Sequence, residues 1–171
     1  MPPTTPTEPA LPTTGLAPSE LRYLVLASQR EGNRALNRQL SSYGLTASQF
    51  EILLVLDEYG PLTLKELGEL IVCETSSPSR IIDTLVRREL VARGTDSQDR
   101  RALSLDLAPQ GQSLIPELRL IDERIDGMAR ETLNDDDVRG LVAALRAYLA
   151  GTESGGVLDR RFRQRRRSLE E

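Results

Sequence analysis

The pattern of apolar and polar positions predicts three helices in the first part of the chain. Residues 19–42 predict a long helix that ends before Gly44, because apolar side chains recur there at steps of three and four residues. Thr46 is expected to cap a second helix, which is apolar on nearly every side and is therefore predicted to be buried. Thr63 and Glu66 have the spacing of a capping box and predict the start of a short third helix.

A fourth predicted helix has two chemically different faces. It is expected to start near residues 75–77 and to run to about Glu89, since Pro78 fits only the first turn of a helix. Its apolar residues point one way, whereas polar and basic residues recur at three- and four-residue steps on the other face. The polar candidate contact residues in and just before this helix are Ser76, Ser77, Ser79, Arg80, Thr84 and Arg87.

After the fourth helix the period of the pattern changes from helical spacing to alternation. Residues 90–95 and 102–107 alternate and predict two strands of a β-hairpin, with residues 96–99 as the turn. Two short helices followed by such a hairpin predict a winged helix-turn-helix, in which the second helix enters the major groove of DNA. The sequence therefore indicates a DNA-binding protein.

The hairpin tip carries two acidic and two basic residues in close succession. We expect one of Arg100 and Arg101 to pair with Asp96 or Asp99 and hold the hairpin, and the other to reach the minor groove of DNA. The sequence leaves open which arginine has which role. Asp96 and Asp99 are therefore interpreted as structural residues of the wing.

The last third of the ordered region predicts two more helices. A fifth helix opens at Pro109 or Gln110, and Pro116 is expected to bend it. Its apolar residues step by four and three, the spacing of a coiled-coil seam, which predicts a partner helix and an obligate dimer. Asn134 is expected to cap a sixth helix with three aspartates in its first turn. The seam residues are Leu114, Leu118, Ile121, Ile125 and Met128.

Both ends of the chain differ from the middle in composition. Residues 1–18 hold six of the ten prolines and five threonines, which predicts a disordered tail. Residues 151–171 begin with a glycine-rich break and continue into a run of arginines, so we interpret them as an Arg-rich C-terminal tail, with a helix as one interpretation of its last dozen residues. A solvated basic run is the commoner outcome for such a segment, and the alternatives are that the arginines contact DNA or fold across the dimer.

Composition excludes several classes of function. The chain has 171 residues, no His and one Cys, so it lacks the residues for a His-rich or multi-Cys metal site, a Ser-His-Asp triad or a Cys-His pair. We expect no metal, no cofactor and no catalysis. No apolar run is long enough to span a membrane and no signal pattern opens the chain, so a cytoplasmic location is expected.

The charge of the chain is compatible with two kinds of winged-helix protein. The formal net charge is −4, but residues 60–104 carry seven basic and seven acidic residues and are neutral. DNA binding then depends on which face the cations occupy. The alternative is a winged-helix module that binds a protein and does not read DNA.

A series of motifs lies between residues 45 and 111. It resembles the multiple-antibiotic-resistance regulator (MarR) family of bacterial transcription factors, and the wing motif with its arginines is the most specific part. The motifs are Leu45-Thr46-x-x-Gln49-Phe50, Leu62-Thr63-x-x-Glu66-Leu67, Ser79-Arg80-Ile81-Ile82-Asp83-x-Leu85, Leu90-Val91-x-Arg93, Asp96-x-x-Asp99-Arg100-Arg101 and Leu103-x-Leu105.

The resemblance implies a mainly α protein with a small β-hairpin wing (α+β), built as a winged helix-turn-helix plus a helical dimerisation region. The expected domain covers residues 19–150, with dimerisation helices at 19–44 and 109–150 and the winged helix-turn-helix at 45–107. The resemblance further implies a homodimer, interpreted here as a repressor, bound to double-stranded DNA at a pseudo-palindromic operator.

Many members of the family release DNA when a small aromatic or phenolic effector enters a cleft beside the DNA-binding lobe. Tyr43 and Tyr59 are the candidates to line such a cleft, with core packing as the alternative for both.

Two positions depart from the family pattern. Glu89 stands where a glycine is common, and Ala108 replaces the usual hydroxyl cap of the fifth helix.

Overall fold

The computed structural model describes residues 17, 19–72, 78–95 and 103–168 of the chain. The predicted N-terminal tail lies outside the described residues, apart from Ala17. The helices are α1 (Glu20–Leu40), α2 (Ala47–Tyr59), α3 (Leu64–Gly68), α4 (Pro78–Arg87), α5 (Pro109–Arg130), α6 (Asp135–Leu149) and α7 (Glu153–Ser168). The strands are β1 (Leu62–Thr63), β2 (Val91–Thr95) and β3 (Leu103–Leu107).

The helix starts predicted from capping residues are confirmed. In each case the capping side chain accepts a hydrogen bond from a backbone N–H in the first turn, and the third helical residue bonds back to the cap. A short 3₁₀ turn, Ser41–Tyr43, extends α1 to Gly44, whose φ of 58° ends it. The capping pairs are Thr46 with Gln49, Thr63 with Glu66 and Asn134 with Asp137.

Helix α2 forms the centre of the hydrophobic core, as its apolar composition predicts. Its residues from Gln49 to Leu56 are all buried, and α5, α1 and β3 pack around it. Burial of several large apolar side chains of this kind stabilises the fold by about 1.5 to 3 kcal/mol for each. The fully buried side chains of α2 include Ile52, Leu53, Val55 and Leu56.

The seam of α5 packs inside the subunit, so the prediction that it needs a partner chain is wrong. Leu118 and Ile121 are 0% and 3% exposed in the single chain, because α5 lies against α2 and α1. Leu114 and Ile125 pack against the same core. Met128 is 46% exposed. A four-three spacing fits any helix-to-helix contact, whether or not the helices belong to one chain.

The wing belongs to a sheet of three strands in the order β1-β3-β2. The hairpin pairs Val91 with Leu107 and Thr95 with Leu103, so both predicted strands are present. Strand β1 adds the pair Leu62 with Leu105 on the other edge of β3. The sequence did not predict β1, because two residues are too few to show an alternating pattern.

Two helices present apolar side chains on the surface of the chain. Helix α6 has an apolar stripe that is exposed, and the first half of α1 is exposed as well. Exposed apolar patches of this size mark interaction surfaces. The large exposed side chains are Leu21, Tyr23, Leu24 and Leu26 of α1, and Leu141, Val142, Leu145 and Tyr148 of α6.

The C-terminal segment forms the helix α7 (Glu153–Ser168), so the helical interpretation of the last dozen residues is confirmed within the described residues, and the helix begins earlier than expected. Thr152 caps α7 by accepting a hydrogen bond from the Gly155 N–H at 3.0 Å. Val157 is buried, and this burial stabilises a helix whose composition alone predicts a solvated segment. In the part of the chain that the structure describes, no helix is both long and apolar enough to cross a membrane.

Candidate nucleic-acid interface

Helix α4 presents a polar face to solvent and an apolar face to the core. Ile82 and Leu85 are 1% and 0% exposed, whereas Ser79, Arg80 and Arg87 are exposed. The two-faced pattern predicted for this helix is therefore confirmed. Its exposed face offers hydroxyl and guanidinium groups, which are suited to phosphates and to base edges in the major groove.

Hydrogen bonds connect the polar side chains of α4 along the helix. The Thr84 hydroxyl donates to the Arg80 carbonyl oxygen at 3.0 Å, and Arg87 Nη2 donates to the Thr84 hydroxyl oxygen at 2.9 Å. The guanidinium of Arg87 therefore lies along the helix surface. These three residues form one continuous polar stripe.

An ion pair joins α4 to the first strand of the wing. Arg93 Nη2 lies 2.5 Å from Asp83 Oδ1, so Asp83 pairs with a residue of β2. Because the Asp83–Arg93 pair is exposed, it contributes little to stability, but it fixes the position of β2 beside α4.

The end of α4 is a Schellman motif with an unusual residue at its centre. The Leu90 N–H donates to the Leu85 carbonyl oxygen and the Glu89 N–H donates to the Val86 carbonyl oxygen, each at 3.0 Å. Glu89 has a φ of 56°, the left-handed region that favours glycine. Glu89 therefore replaces the glycine that is common in the family, but the backbone at the end of α4 keeps the shape that a glycine would adopt.

Arg88 anchors the end of α4 to the junction between α1 and α2. Its Nη1 donates to the Gly44 carbonyl oxygen and its Nη2 donates to the Tyr43 carbonyl oxygen, both at 2.8 Å. Sequence reasoning missed this role. The acceptors are backbone groups 44 and 45 residues away, and no side-chain pattern signals them.

The two candidate tyrosines lie in different places. Tyr43 packs against the core, and its hydrogen bond to Glu117, with desolvation and the Glu117 charge, raises its pKa, while Arg124 opposes the shift. Tyr59 lies beside α7 and donates its hydroxyl to the Arg161 carbonyl oxygen at 2.7 Å. It lines a cleft of about 660 Å³ between α2, α3 and α7.

Glu51 is a buried acid that sequence reasoning did not single out. Its Oε1 accepts a hydrogen bond from the Val72 N–H at 2.8 Å and lies 2.7 Å from Arg161 Nη1. A charged residue between Phe50 and Ile52, in the apolar part of α2, was the available signal, since buried charges are almost always paired.

The structure describes four of the candidate contact residues, namely Ser79, Arg80, Thr84 and Arg87. Within the described ranges no group of three or more His, Cys, Asp or Glu side chains is arranged to hold a metal ion. The predictions that lie outside the described residues concern Ser76, Ser77, Asp96, Asp99, Arg100 and Arg101.

Comparison with known proteins gives the same picture of the central region. The model of the MarR family matches residues 45–103. The HTH-type transcriptional regulator YsmB of Bacillus subtilis is 33% identical over 57% of this chain, and the match spans 64% of that relative, just under two thirds. The HTH-type transcriptional regulator TtmR of Methylorubrum extorquens is 27% identical over 79% of this chain and 72% of its own length.

Solved structures share the fold over most of the chain. BpsR of Bordetella bronchiseptica, whose DNA binding is regulated by 6-hydroxynicotinic acid, superposes with a TM-score of 0.71 at 24% identity, over 80% of this chain and 98% of its own. A MarR mutant from E. coli, complexed with operator DNA, has a TM-score of 0.68 at 25% identity, over 75% of this chain and 93% of its own.

Proposed function

We propose that the chain is a member of the MarR family, whose model matches residues 45–103, and that it is a sequence-specific DNA-binding regulator that represses transcription as a homodimer on a pseudo-palindromic operator. The observation that carries the proposal is the outward polar face of α4. A helix with a buried apolar side and an exposed side of hydroxyl and guanidinium groups suits the major groove. The E. coli relative was solved with operator DNA.

Arg80 is the residue on which the proposal is best tested. It is exposed and lies on the face that we assign to the groove, so Arg80→Ala should cost about 1 to 3 kcal/mol of binding free energy. Arg130→Ala is the matched control, because it removes the same charge from an exposed arginine at the far end of α5.

The experiment has two stages. DNA fragments retained by the protein from sheared genomic DNA identify the operator, and fluorescence anisotropy then gives the dissociation constants of the wild type and both variants. We expect Arg80→Ala to bind at least about fivefold more weakly and Arg130→Ala to bind like the wild type. Retention of no fragment above competitor DNA would favour the protein-binding winged-helix alternative.

The exposed apolar side chains of α1 and α6 support the proposed homodimer. Leu21 and Leu24 are 59% and 57% exposed, and Leu141 and Tyr148 are 49% and 63% exposed. Exposure of these apolar side chains to water is unfavourable, so we propose that a second copy of the chain packs against them. This proposal assigns the dimer to α1 and α6 and leaves the seam of α5 inside the subunit.

Release by a small aromatic or phenolic effector is the remaining part of the proposal. The volume of the cleft beside Tyr59, about 660 Å³, falls in the range of small-molecule sites, and the DNA binding of BpsR is regulated by an aromatic acid. Titration of hydroxylated aromatic acids into the labelled DNA complex tests this part. A competing ligand should lower the anisotropy of the wild type, and Tyr59→Ala should weaken that response.

A further inference from the structure

Helix α7 is tied to the DNA-binding lobe of its own chain by polar contacts from two successive residues. Arg161 Nη1 lies 2.7 Å from Glu51 Oε1, and the Arg161 carbonyl oxygen accepts the Tyr59 hydroxyl at 2.7 Å. Arg160 Nε donates to the Glu69 carbonyl oxygen at 3.1 Å. These contacts hold one turn of α7 against α2 and the end of α3.

The ion pair of Arg161 with Glu51 is shielded from water. The two side chains are 18% and 10% exposed, unlike the surface pairs elsewhere in the described structure. Removal of one partner from a pair of this kind takes a close opposite charge away from a shielded group, so the pair is sensitive to substitution. This contact is therefore the least exposed ion pair in the part of the chain that the structure describes.

Glu51 also contacts the backbone of Val72, which precedes α4 in the chain. The same oxygen, Oε1, accepts the Val72 N–H at 2.8 Å, and α4 begins six residues later at Pro78. One carboxylate thus joins α7 to the Val72 backbone, which precedes the proposed recognition helix in the chain. A shift of Arg161 displaces the acceptor on which Val72 depends.

The corner between α6 and α7 fixes the direction in which α7 leaves. The Thr152 hydroxyl donates to the Leu149 carbonyl oxygen at 2.7 Å, and Arg146 Nη1 lies 3.2 Å from Asp159 Oδ1 across the two helices. A Cβ on Gly155 would lie 2.1 Å from the Leu149 carbonyl oxygen. Only glycine therefore allows this close approach, and the corner directs Arg161 towards Glu51.

We infer that α7 is a strap that positions the recognition helix, with Arg161 acting through Glu51 as a positioning residue for DNA binding. The inference rests on the proposed function, because it gives Arg161 an indirect role in DNA binding. The Arg161–Glu51 contact itself does not involve DNA. Since α6 carries the proposed dimer surface, the strap connects that surface to the lobe. It thereby sets the spacing of the two recognition helices on the half-sites.

Two arginines of α7 give a matched test. Arg161→Met removes the half-buried partner of Glu51, and Arg163→Met removes the same charge from an exposed position two residues later. We expect operator binding to weaken about tenfold for Arg161→Met and less than about twofold for Arg163→Met. Hydrogen exchange of the Val72 amide should accelerate in Arg161→Met alone, and Arg161→Lys should restore part of both properties.

Two neighbouring glycines give a second test that leaves Arg161 in place. Gly155→Ala collides with the Leu149 carbonyl oxygen at the corner, whereas a Cβ on Gly156 meets only Arg160 Nη1, at an ordinary 3.5 Å. Both substitutions add the same methyl group to the first turns of α7. Gly155→Ala should weaken operator binding and accelerate exchange at Val72, and Gly156→Ala should leave both unchanged.

The outcomes separate the strap from its alternatives. Equal weakening by Arg161→Met and Arg163→Met would show that α7 acts through its charge on DNA and would overturn the inference. If the wild type selects no DNA, the proposed function fails, and exchange at Val72 still decides whether the strap exists. Unchanged exchange at Val72 in both Arg161→Met and Gly155→Ala would refute the strap.

Discussion

Glu89 holds a backbone conformation that costs free energy, so Glu89→Gly should stabilise the protein. Its φ of 56° lies in the left-handed region, where a residue with a Cβ loses roughly 1 to 2 kcal/mol relative to the right-handed region. Glycine adopts this conformation without that penalty. The side chain is exposed, so its removal sacrifices no core packing.

The expected gain follows from two opposing contributions. Glycine has more freedom in the unfolded chain, which costs about 0.5 to 1 kcal/mol and offsets part of the relieved strain. Loss of a negative charge at the C-terminal end of α4 adds a few tenths of a kcal/mol, roughly, through the helix dipole. The free energy of unfolding should therefore rise by about 0.5 to 1 kcal/mol, which raises Tm by about 1 to 4 °C.

Thermal and urea unfolding at a fixed protomer concentration measure this gain, since the Tm of an oligomer depends on concentration. Glu89→Gln is the matched control, because it removes the charge and retains the Cβ. We expect its gain to be less than half that of Glu89→Gly. Equal gains would assign the effect to charge, and a loss of stability in Glu89→Gly would refute the argument from backbone conformation.

Further predictions concern the packing, titration and assembly of the helices. Gly111→Ala places a Cβ 2.1 Å from a carbonyl oxygen and should destabilise the fold by about 1 to 3 kcal/mol in urea unfolding, whereas Gly127→Ala, in open space on the same helix, should not. Because the pKa of Tyr43 is raised in the folded protein, the stability that this group contributes is complete below pH 10.0 and is lost as pH rises through the raised pKa. In unfolding measured against pH, Tyr43→Phe should therefore lose less stability above pH 10.0 than the wild type. Ile121→Asp should unfold the subunit, because Ile121 is 3% exposed within it. Leu141→Asp should instead give folded monomers, measured by light scattering. A folded monomer from Ile121→Asp would contradict the assignment of the seam to the subunit core.

The local elements of this fold follow from the sequence because their causes lie within a few residues. Thr46, Thr63 and Asn134 each cap a helix through a partner three residues later, so the interaction is visible as a short motif. The two faces of α4 and the two strands of the hairpin follow from the helical and alternating periods in the same way. The family motifs between residues 45 and 111 add the arrangement of these elements.

Which surfaces meet was decided by the tertiary structure. The spacing of Leu118 and Ile121 is equally suitable for a partner chain and for the subunit core. Only the position of α2 beside α5 shows that the core takes them. The dimer surface proposed here lies instead on α1 and α6, whose apolar side chains the rest of the described chain leaves exposed.

The polar contacts that position α4 depend entirely on the tertiary structure. Arg88 reaches backbone carbonyls 44 and 45 residues away, and Arg161 reaches Glu51 across 110 residues. No local pattern encodes such pairs, because a carbonyl has no side-chain signature and a basic run favours solvent unless a buried acid lies opposite. The sequence by itself therefore determined the recognition helix and its polar face, and the folded chain decided what holds that helix in place.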